Sequence, residues 1–280
     1  MERSISENHI QEYAHFLTCE EKCQSTVEKY LRDIHAFRRW LGERPAAKEA
    51  VIAWKAYLLE KHYAPATINS MLAALNAFFH FMNWEDCRVK SLRFQRKVFR
   101  EQALELSRED YERLVNTAYA LGKERLGLLM ETICATGIRV SELRYITAEA
   151  VRQGRAEISL KGKIRVILLP GKLCRKLWKY ARQQKNTSGE VFVTKRGGSL
   201  SRKQIWSEMK WLCQKADVDA KKVFPHNLRH LFARTFYRTY KDIAKLADVL
   251  GHSSIETTRI YLRTSGQEHR RQINRLRLVL

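Results

Sequence analysis

Leu250-Gly251-His252-Ser253-Ser254-Ile255-Glu256-Thr257-Thr258-Arg259-Ile260-Tyr261 reads as helix, bend, helix, and it sets the character of the C-terminal half of this 280-residue chain. Gly251 can end one helix in the left-handed conformation, and Ser253 or Ser254 can cap the next. His252 then sits in the bend, and Tyr261 lies toward the end of a short helix behind it. A phenol with a pKa of about 10 is a poor nucleophile at neutral pH unless cations and a histidine surround it. Most tyrosines on a helix face simply pack. Tyr237 and Tyr240 are rivals by residue type, but neither follows such a bend.

Two other segments supply the missing company. In Thr136-Gly137-Ile138-Arg139-Val140-Ser141-Glu142-Leu143, Gly137 permits a tight turn and Arg139 is read as the start of a helix. A guanidinium there can grip two phosphate oxygens in a fork, and Glu142, three residues on, can orient an arginine. In Pro225-His226-Asn227-Leu228-Arg229-His230, His226 and Arg229 share one helix face, placing a proton carrier beside a permanent cation. Breaking a phosphodiester without a metal needs a nucleophile, cations for the non-bridging oxygens, a base near the nucleophile and an acid for the leaving oxygen. The C-terminal half holds residue types for each role.

The charge agrees with a polyanionic partner. The net charge is +22. Residues 1–100 hold 16 of the 52 Lys+Arg and 12 of the 30 Asp+Glu, which leaves +18 on residues 101–280. A segment that basic repels itself unless it meets phosphates, whose neutralisation releases counterions. Apolar residues at 45% suffice for a core in each of two domains. The cysteines form no C-x-x-C pair; Cys19 and Cys23 are expected on one helix without a zinc site. The N-terminus has no signal-like apolar stretch and no run is long enough to span a bilayer, so a cytoplasmic protein with no membrane partner is expected.

Periodicity organises the rest. Ser25 is a candidate cap for a helix carrying Val27, Tyr30, Leu31, Ile34, Phe37, Trp40 and Leu41. Another helix covers about 47–60. Pro65 suits a first turn, followed by an apolar stripe of Ile68, Met71, Leu72, Leu75, Phe78, Phe79 and Met82. These predict a small helical domain over 1–87. Residues 88–105 then read as an extended linker in which Arg88, Lys90, Arg93, Arg96, Lys97 and Arg100 meet no acid up to position 100. It serves equally as a solvated tether or a strap along phosphates. Ser107 and Asp110 make a capping-box variant, and Leu126–Cys134 is an apolar helix. Residues 156–160 and 164–168 predict strands around Lys161-Gly162-Lys163, a hairpin. Helices are expected at 171–184, 201–215, 226–239, 242–250, 254–262 and 266–278, so 106–280 is an α-rich domain with one small antiparallel sheet.

Taken together, Arg139 in T-G-I-R-V-S-E-L, His226 and Arg229 in P-H-N-L-R-H, and His252 with Tyr261 in L-G-H-S-S-I-E-T-T-R-I-Y resemble the three signature segments of tyrosine recombinases, the phage integrase family. Lys161 resembles the family's hairpin lysine. The turn is about one residue shorter than the usual pattern, which leaves Lys163 as a second candidate. The first 87 residues are similar to the family's SAM-like core-binding domain, notably in Ala64-Pro65-Ala66-Thr67-Ile68-Asn69, Leu72-Ala73-Ala74-Leu75 and Phe78-Phe79.

The resemblance implies a mainly α protein whose two lobes clamp duplex DNA. It implies that Arg139 and Arg229 hold the scissile phosphate, with Glu142 in support. His226 would assist proton transfer at the nucleophile, His252 would bind a phosphate oxygen, and Tyr261 would attack to leave a 3′-phosphotyrosyl link. Lys161, or Lys163, would protonate the 5′-oxygen. Neither a cofactor nor a metal is implied. A homo-tetramer on DNA, monomeric or dimeric when free, would exchange strands through a Holliday junction, with room for a partner recombinase or an accessory protein. Ile273, Leu276, Leu278 and Val279 on the final helix would dock on a neighbour or on their own domain. The chain starts almost at the core-binding domain, the Xer-like layout. A type IB topoisomerase shares the chemistry; a silent DNA-binding regulator would not need six competent positions, and a metal-dependent nuclease would need carboxylates near the basic segments.

Overall fold

The computed structural model describes residues 3–94, 104–160, 163–262, 270 and 274–276. The chain divides into two compact units, Met1–Arg96 and Lys97–Leu280. No described helix is long and apolar enough to cross a membrane.

Among the described residues the first unit has four α-helices, α1 (Glu7–Cys19), α2 (Gln24–Leu41), α3 (Lys48–Glu60) and α4 (Pro65–Phe81), followed by a 3-10 turn over Glu85–Cys87. Each contributes one apolar face. Tyr13, Ile34, Phe37, Trp54, Leu72, Leu75, Phe78 and Phe79 are all buried together. Edge-to-face ring pairs, Phe37 on Trp54 at 5.1 Å and Tyr13 on Phe78 at 5.4 Å, fix how the helices interlock. Pro65 begins α4 as expected. Ser25 does not cap α2: the helix starts at Gln24, and Cys23 holds the cap position with its Sγ 3.0 Å from Thr26 Oγ1. Cys19 and Cys23, expected on one helix, instead flank the turn between α1 and α2.

Two asparagines of α4 lay the following segment along the unit. Asn76 donates to Val89 O at 2.9 Å and accepts from Val89 N at 3.1 Å. Asn69 does the same for Leu92, at 2.9 and 2.7 Å. An asparagine amide matches a peptide group donor for acceptor, so each side chain replaces a missing strand neighbour. Val89 is buried and Leu92 half-buried against the core as a result.

The second unit is built around α6 (Glu124–Thr136), which is buried on most of its surface and packs against α5 (Arg108–Ala120). The Ser107–Asp110 capping box starts α5. After α6 come a 3-10 turn over Val140–Tyr145, a short α7 (Ala148–Gln153) that periodicity did not reveal, and the hairpin β1 (Arg155–Leu160) and β2 (Lys163–Leu168). The strands pair antiparallel, with Ile158 opposite Arg165 and Leu160 opposite Lys163. Helices α8 (Gly171–Gln183), α9 (Arg202–Ala216), α10 (Pro225–Tyr240), α11 (Ile243–Leu250) and α12 (Ile255–Arg259) follow, and a 3-10 turn over Ile260–Leu262 closes the described run. α6 also contacts α8, α9 and α10. The expected last helix, 266–278, lies outside the described residues apart from 270 and 274–276.

Replacing Asn69 or Asn76 by alanine removes two hydrogen bonds at once and should destabilise the first unit by about 2 kcal/mol per substitution. Urea unfolding followed by tryptophan fluorescence checks this, and limited proteolysis should cut sooner near Val89–Leu92.

Candidate active site

Three helix ends and a turn build the site. α6 ends at Gly137, which has φ +66° and leaves no room for a β-carbon, because one would run into the ring of Phe232 on α10. Arg139 does not begin an α-helix. It caps the 3-10 turn, and Glu142 is the third residue of that turn. Glu142 accepts from the Arg139 backbone N–H at 2.7 Å and from its guanidinium at 2.9 Å. Glu142 is only 2% exposed, whereas the Arg139 side chain is 43% exposed. A buried carboxylate thus steers a cation that stays open to solvent.

The same carboxylate takes a second arginine. Arg165, on the inward face of β2, donates to Glu142 Oε2 at 2.5 Å and to Val249 O at 3.4 Å. A cleft of about 700 Å³ opens here, lined by Arg139, Arg144, Arg165, Arg202, His252 and Ser253. Its polar wall is dominated by guanidiniums, which suits a phosphate.

Arg229 lies deeper, at 1% exposure. It donates to Gly137 O, to Leu250 O at 2.8 Å, to His252 Nε2 at 2.9 Å and to Tyr261 Oη at 3.3 Å. Burial pulls its pKa below the ordinary arginine value, and Tyr261 pulls it back up. The guanidinium remains a cation, because an arginine holds its proton even in a buried setting.

His252 follows Gly251 in the bend after α11, as the sequence implied. Its Nδ1 is 2.9 Å from Thr258 Oγ1. Arg229 can only donate, so His252 Nε2 must accept, and the ring proton sits on Nδ1 facing the threonine. Burial, and then the cations Arg229, Arg139 and Arg165 with His226, push His252 from 6.5 down to about 4. The ring is therefore neutral at physiological pH.

Tyr261 is 6% exposed and packs with Ala233, Leu246 and Leu250. Three imidazoles wall its ring: His230 at 4.3 Å, His252 at 5.4 Å and His226 at 5.5 Å between centroids. His226 is the exposed one of the three. Four of the six expected catalytic side chains, His226, Arg229, His252 and Tyr261, thus form one cluster, and Arg139 lines the cleft with His252. Lys161 lies outside the described residues, as does the side chain of Lys163. Sequence reasoning passed over Arg165, His230 and Thr258. His230 carried a signal, lying four residues after His226 and so on the same helix face. Arg165 and Thr258 carried none, since their contacts come from distant segments.

The family model described as "Phage integrase family" matches residues 105–268, and that described as "Phage integrase, N-terminal SAM-like domain" matches residues 2–86. Similar proteins include the tyrosine recombinase XerA of Pyrococcus furiosus, 29% identical over 99% of this chain and 97% of that one. The tyrosine recombinase XerD of Vibrio cholerae is 26% identical over 85% of each. Among solved structures, a lambda integrase tetramer bound to a Holliday junction matches with TM-score 0.72 at 19% identity, over 91% of this chain and 76% of that one. XerH bound to its difH substrate matches with TM-score 0.68 at 17% identity, over 96% and 84%. At these identities the structures establish the likeness of fold.

A histidine with a depressed folded pKa takes up its proton in the unfolded chain first. Stability is therefore lost as pH falls from about 6.5 toward about 4, and is unaffected by this ring above that window. Imidazole resonances of His252 should stay those of a neutral ring at pH 5.5, and His252→Asn should flatten the stability–pH slope between 6.5 and 4 in urea titrations.

Proposed function

We propose a residue-by-residue mechanism for this chain, which belongs to the phage integrase family and is a tyrosine recombinase that cleaves and rejoins DNA. The observation that carries it is the setting of Tyr261, whose hydroxyl meets the buried Arg229 guanidinium and whose ring is walled by His226, His230 and His252.

Tyr261 Oη attacks the scissile phosphorus and its proton passes to His226, the exposed imidazole beside it. Arg229 stabilises negative charge growing on the phenolic oxygen. Arg139 grips the non-bridging oxygens from the cleft, held in place by Glu142. An entering phosphate also offers Arg229 a better acceptor than His252 Nε2, and its negative charge favours protonation of that ring, so His252 becomes a donor to the phosphate as the cleft fills. The bond from phosphorus to O5′ breaks, and a hairpin lysine, Lys161 or Lys163, gives its proton to that oxygen. The products are a 3′-phosphotyrosyl link and a free 5′-hydroxyl. A 5′-hydroxyl of a second strand reverses each step, which exchanges strands without an external energy source.

Lambda integrase has been solved as a tetramer on a Holliday junction, and XerH on its difH substrate. We extend that assembly to this chain: monomers or dimers in solution, a homo-tetramer on double-stranded DNA, acting on DNA in the cytoplasm.

Tyr261→Phe should abolish the covalent protein–DNA adduct on a nicked suicide duplex while leaving DNA binding intact in a gel-shift assay. An adduct formed by this variant overturns the assignment. Of Lys161→Ala and Lys163→Ala, the one that removes the acid should slow cleavage by about 10²-fold or more, and the other should leave it near wild type.

A further inference from the structure

α10 carries both His226 and Arg229, but the two are held by different means. Arg229 is fixed by the carbonyls that close α6 and α11, Gly137 O and Leu250 O. His226 stands in the first turn, where a helix frays most readily because its N–H groups lack partners in a preceding turn. Phe224 occupies the cap position and gives no side-chain cap bond. Asn227 does the fastening instead. It is 1% exposed, and its Nδ2 donates to Lys222 O at 2.6 Å and to Leu104 O at 2.8 Å. An amide nitrogen has two hydrogens, one for each carbonyl. The first carbonyl lies just before α10, and the second lies in the segment that leads into α5. Arg234, two turns further along α10, holds the same segment through Glu105 and Leu106 O.

We propose that Asn227 is a positioning residue for proton transfer from Tyr261: by pinning the first turn of α10 it sets the His226 imidazole against the nucleophile. The inference rests on the reading of His226 as the proton acceptor. The His226 ring is exposed, stands edge-on to His230 at 4.6 Å and lies 5.5 Å from the Tyr261 ring between centroids. Those contacts depend on where the backbone beneath the ring lies. Without the two Asn227 bonds the first turn loosens. Arg229 stays on its two carbonyls, and Arg139 stays on Glu142 through bonds that do not involve α10. The phosphate grip survives and proton transfer suffers. A base displaced by about 1 Å loses about 10²-fold in rate.

A double-mutant cycle separates positioning from general weakening. Single-turnover cleavage of a suicide duplex is measured at protein concentrations that saturate the DNA. His226→Ala should slow it by about 10²-fold. Asn227→Ala should slow the wild-type protein by about tenfold or more, but the His226→Ala protein by less than about twofold, because a misplaced base no longer matters once the base is gone. Added to Arg139→Ala, the same substitution should again slow cleavage by about tenfold. Isotope-labelled histidine gives a second readout: the ring signal of His226 should shift or broaden in Asn227→Ala while that of His252 stays in place. Equal loss with and without His226, no loss in the wild-type background, or an unmoved His226 signal overturns the proposal. Arg234→Ala loosens the same segment two turns away and should act alike in both backgrounds; if it reproduces the Asn227 pattern, the effect belongs to the segment and the role given to Asn227 falls. If His226→Ala itself cleaves at the wild-type rate, the base assignment fails and takes this role with it. Circular dichroism checks folding; if Asn227→Ala does not fold, Asn227→Ser, which keeps one hydroxyl donor, decides by the same cycle.

Discussion

A buried guanidinium with no carboxylate against it holds this site together. Among the described residues, no acid lies within ion-pair distance of Arg229, although the residue is all but fully buried. Burying a cation unpaired costs several kcal/mol. Helix ends supply the compensation. Gly137 O closes α6 and Leu250 O closes α11, and both accept from Arg229. The carbonyl end of a helix carries about half a negative charge, so two such ends together offset one cation. Both helices stop at a left-handed glycine, Gly137 and Gly251, which lets the chain turn away and leaves those carbonyls facing inward. The T-G-I-R and L-G-H segments are thus two parts of a single cation site, and α10 delivers the cation.

That arrangement ties the nucleophile to the fold. Tyr261 sits on the far side of the same guanidinium, on a 3-10 turn reached through α11, the Gly251 bend and α12. Moving any of these elements changes the distance between Arg229 and Tyr261 Oη. The Glu142 cluster is organised differently. Its carboxylate is buried, but its two arginines come from a turn and a strand, and one of them remains open to solvent. The deep cation reaches the Tyr261 hydroxyl, and the shallow one opens onto the cleft.

Most of this was legible in the sequence because it is local. Helical stripes, Pro65, the Ser107–Asp110 box and the glycine stops involve residues within a few positions of one another, and among the described residues the longer helices formed close to where periodicity put them. Short elements escaped. The Val140–Tyr145 turn and α7 are too brief to show a period, and Cys23 displaced Ser25 as a cap because neighbouring side chains decide such choices. The hairpin misleads in a more instructive way. Ile164, Val166 and Leu168 alternate with Arg165 and Ile167, so the usual rule turns those three apolar residues inward. They face out instead, at 76%, 53% and 76% exposure, and Arg165 faces in. Burial of an arginine there is favoured only because Glu142 and Val249 O, from distant segments, are waiting for it. The cluster around Tyr261 was legible as a set of residue types, but the order of contacts within it was not, since that depends on how α6, α10 and α11 converge.

Charge then explains why this convergence is suited to catalysis rather than to binding alone. Arg139, Arg144, Arg165, Arg202 and Arg229 set against Glu142, with His252 neutral, leave cations in clear excess around the cleft. A phosphodiester brings one negative charge. Attack by a phenol that has given up its proton produces a five-coordinate phosphorus bearing two. Cations that outnumber a single negative charge would stabilise the second state more than the first. The negative charge that a phosphate brings, and not the cationic excess, favours protonation of His252. A resting histidine held neutral first by burial and then by three arginines fits a cleft whose cations outnumber its acids.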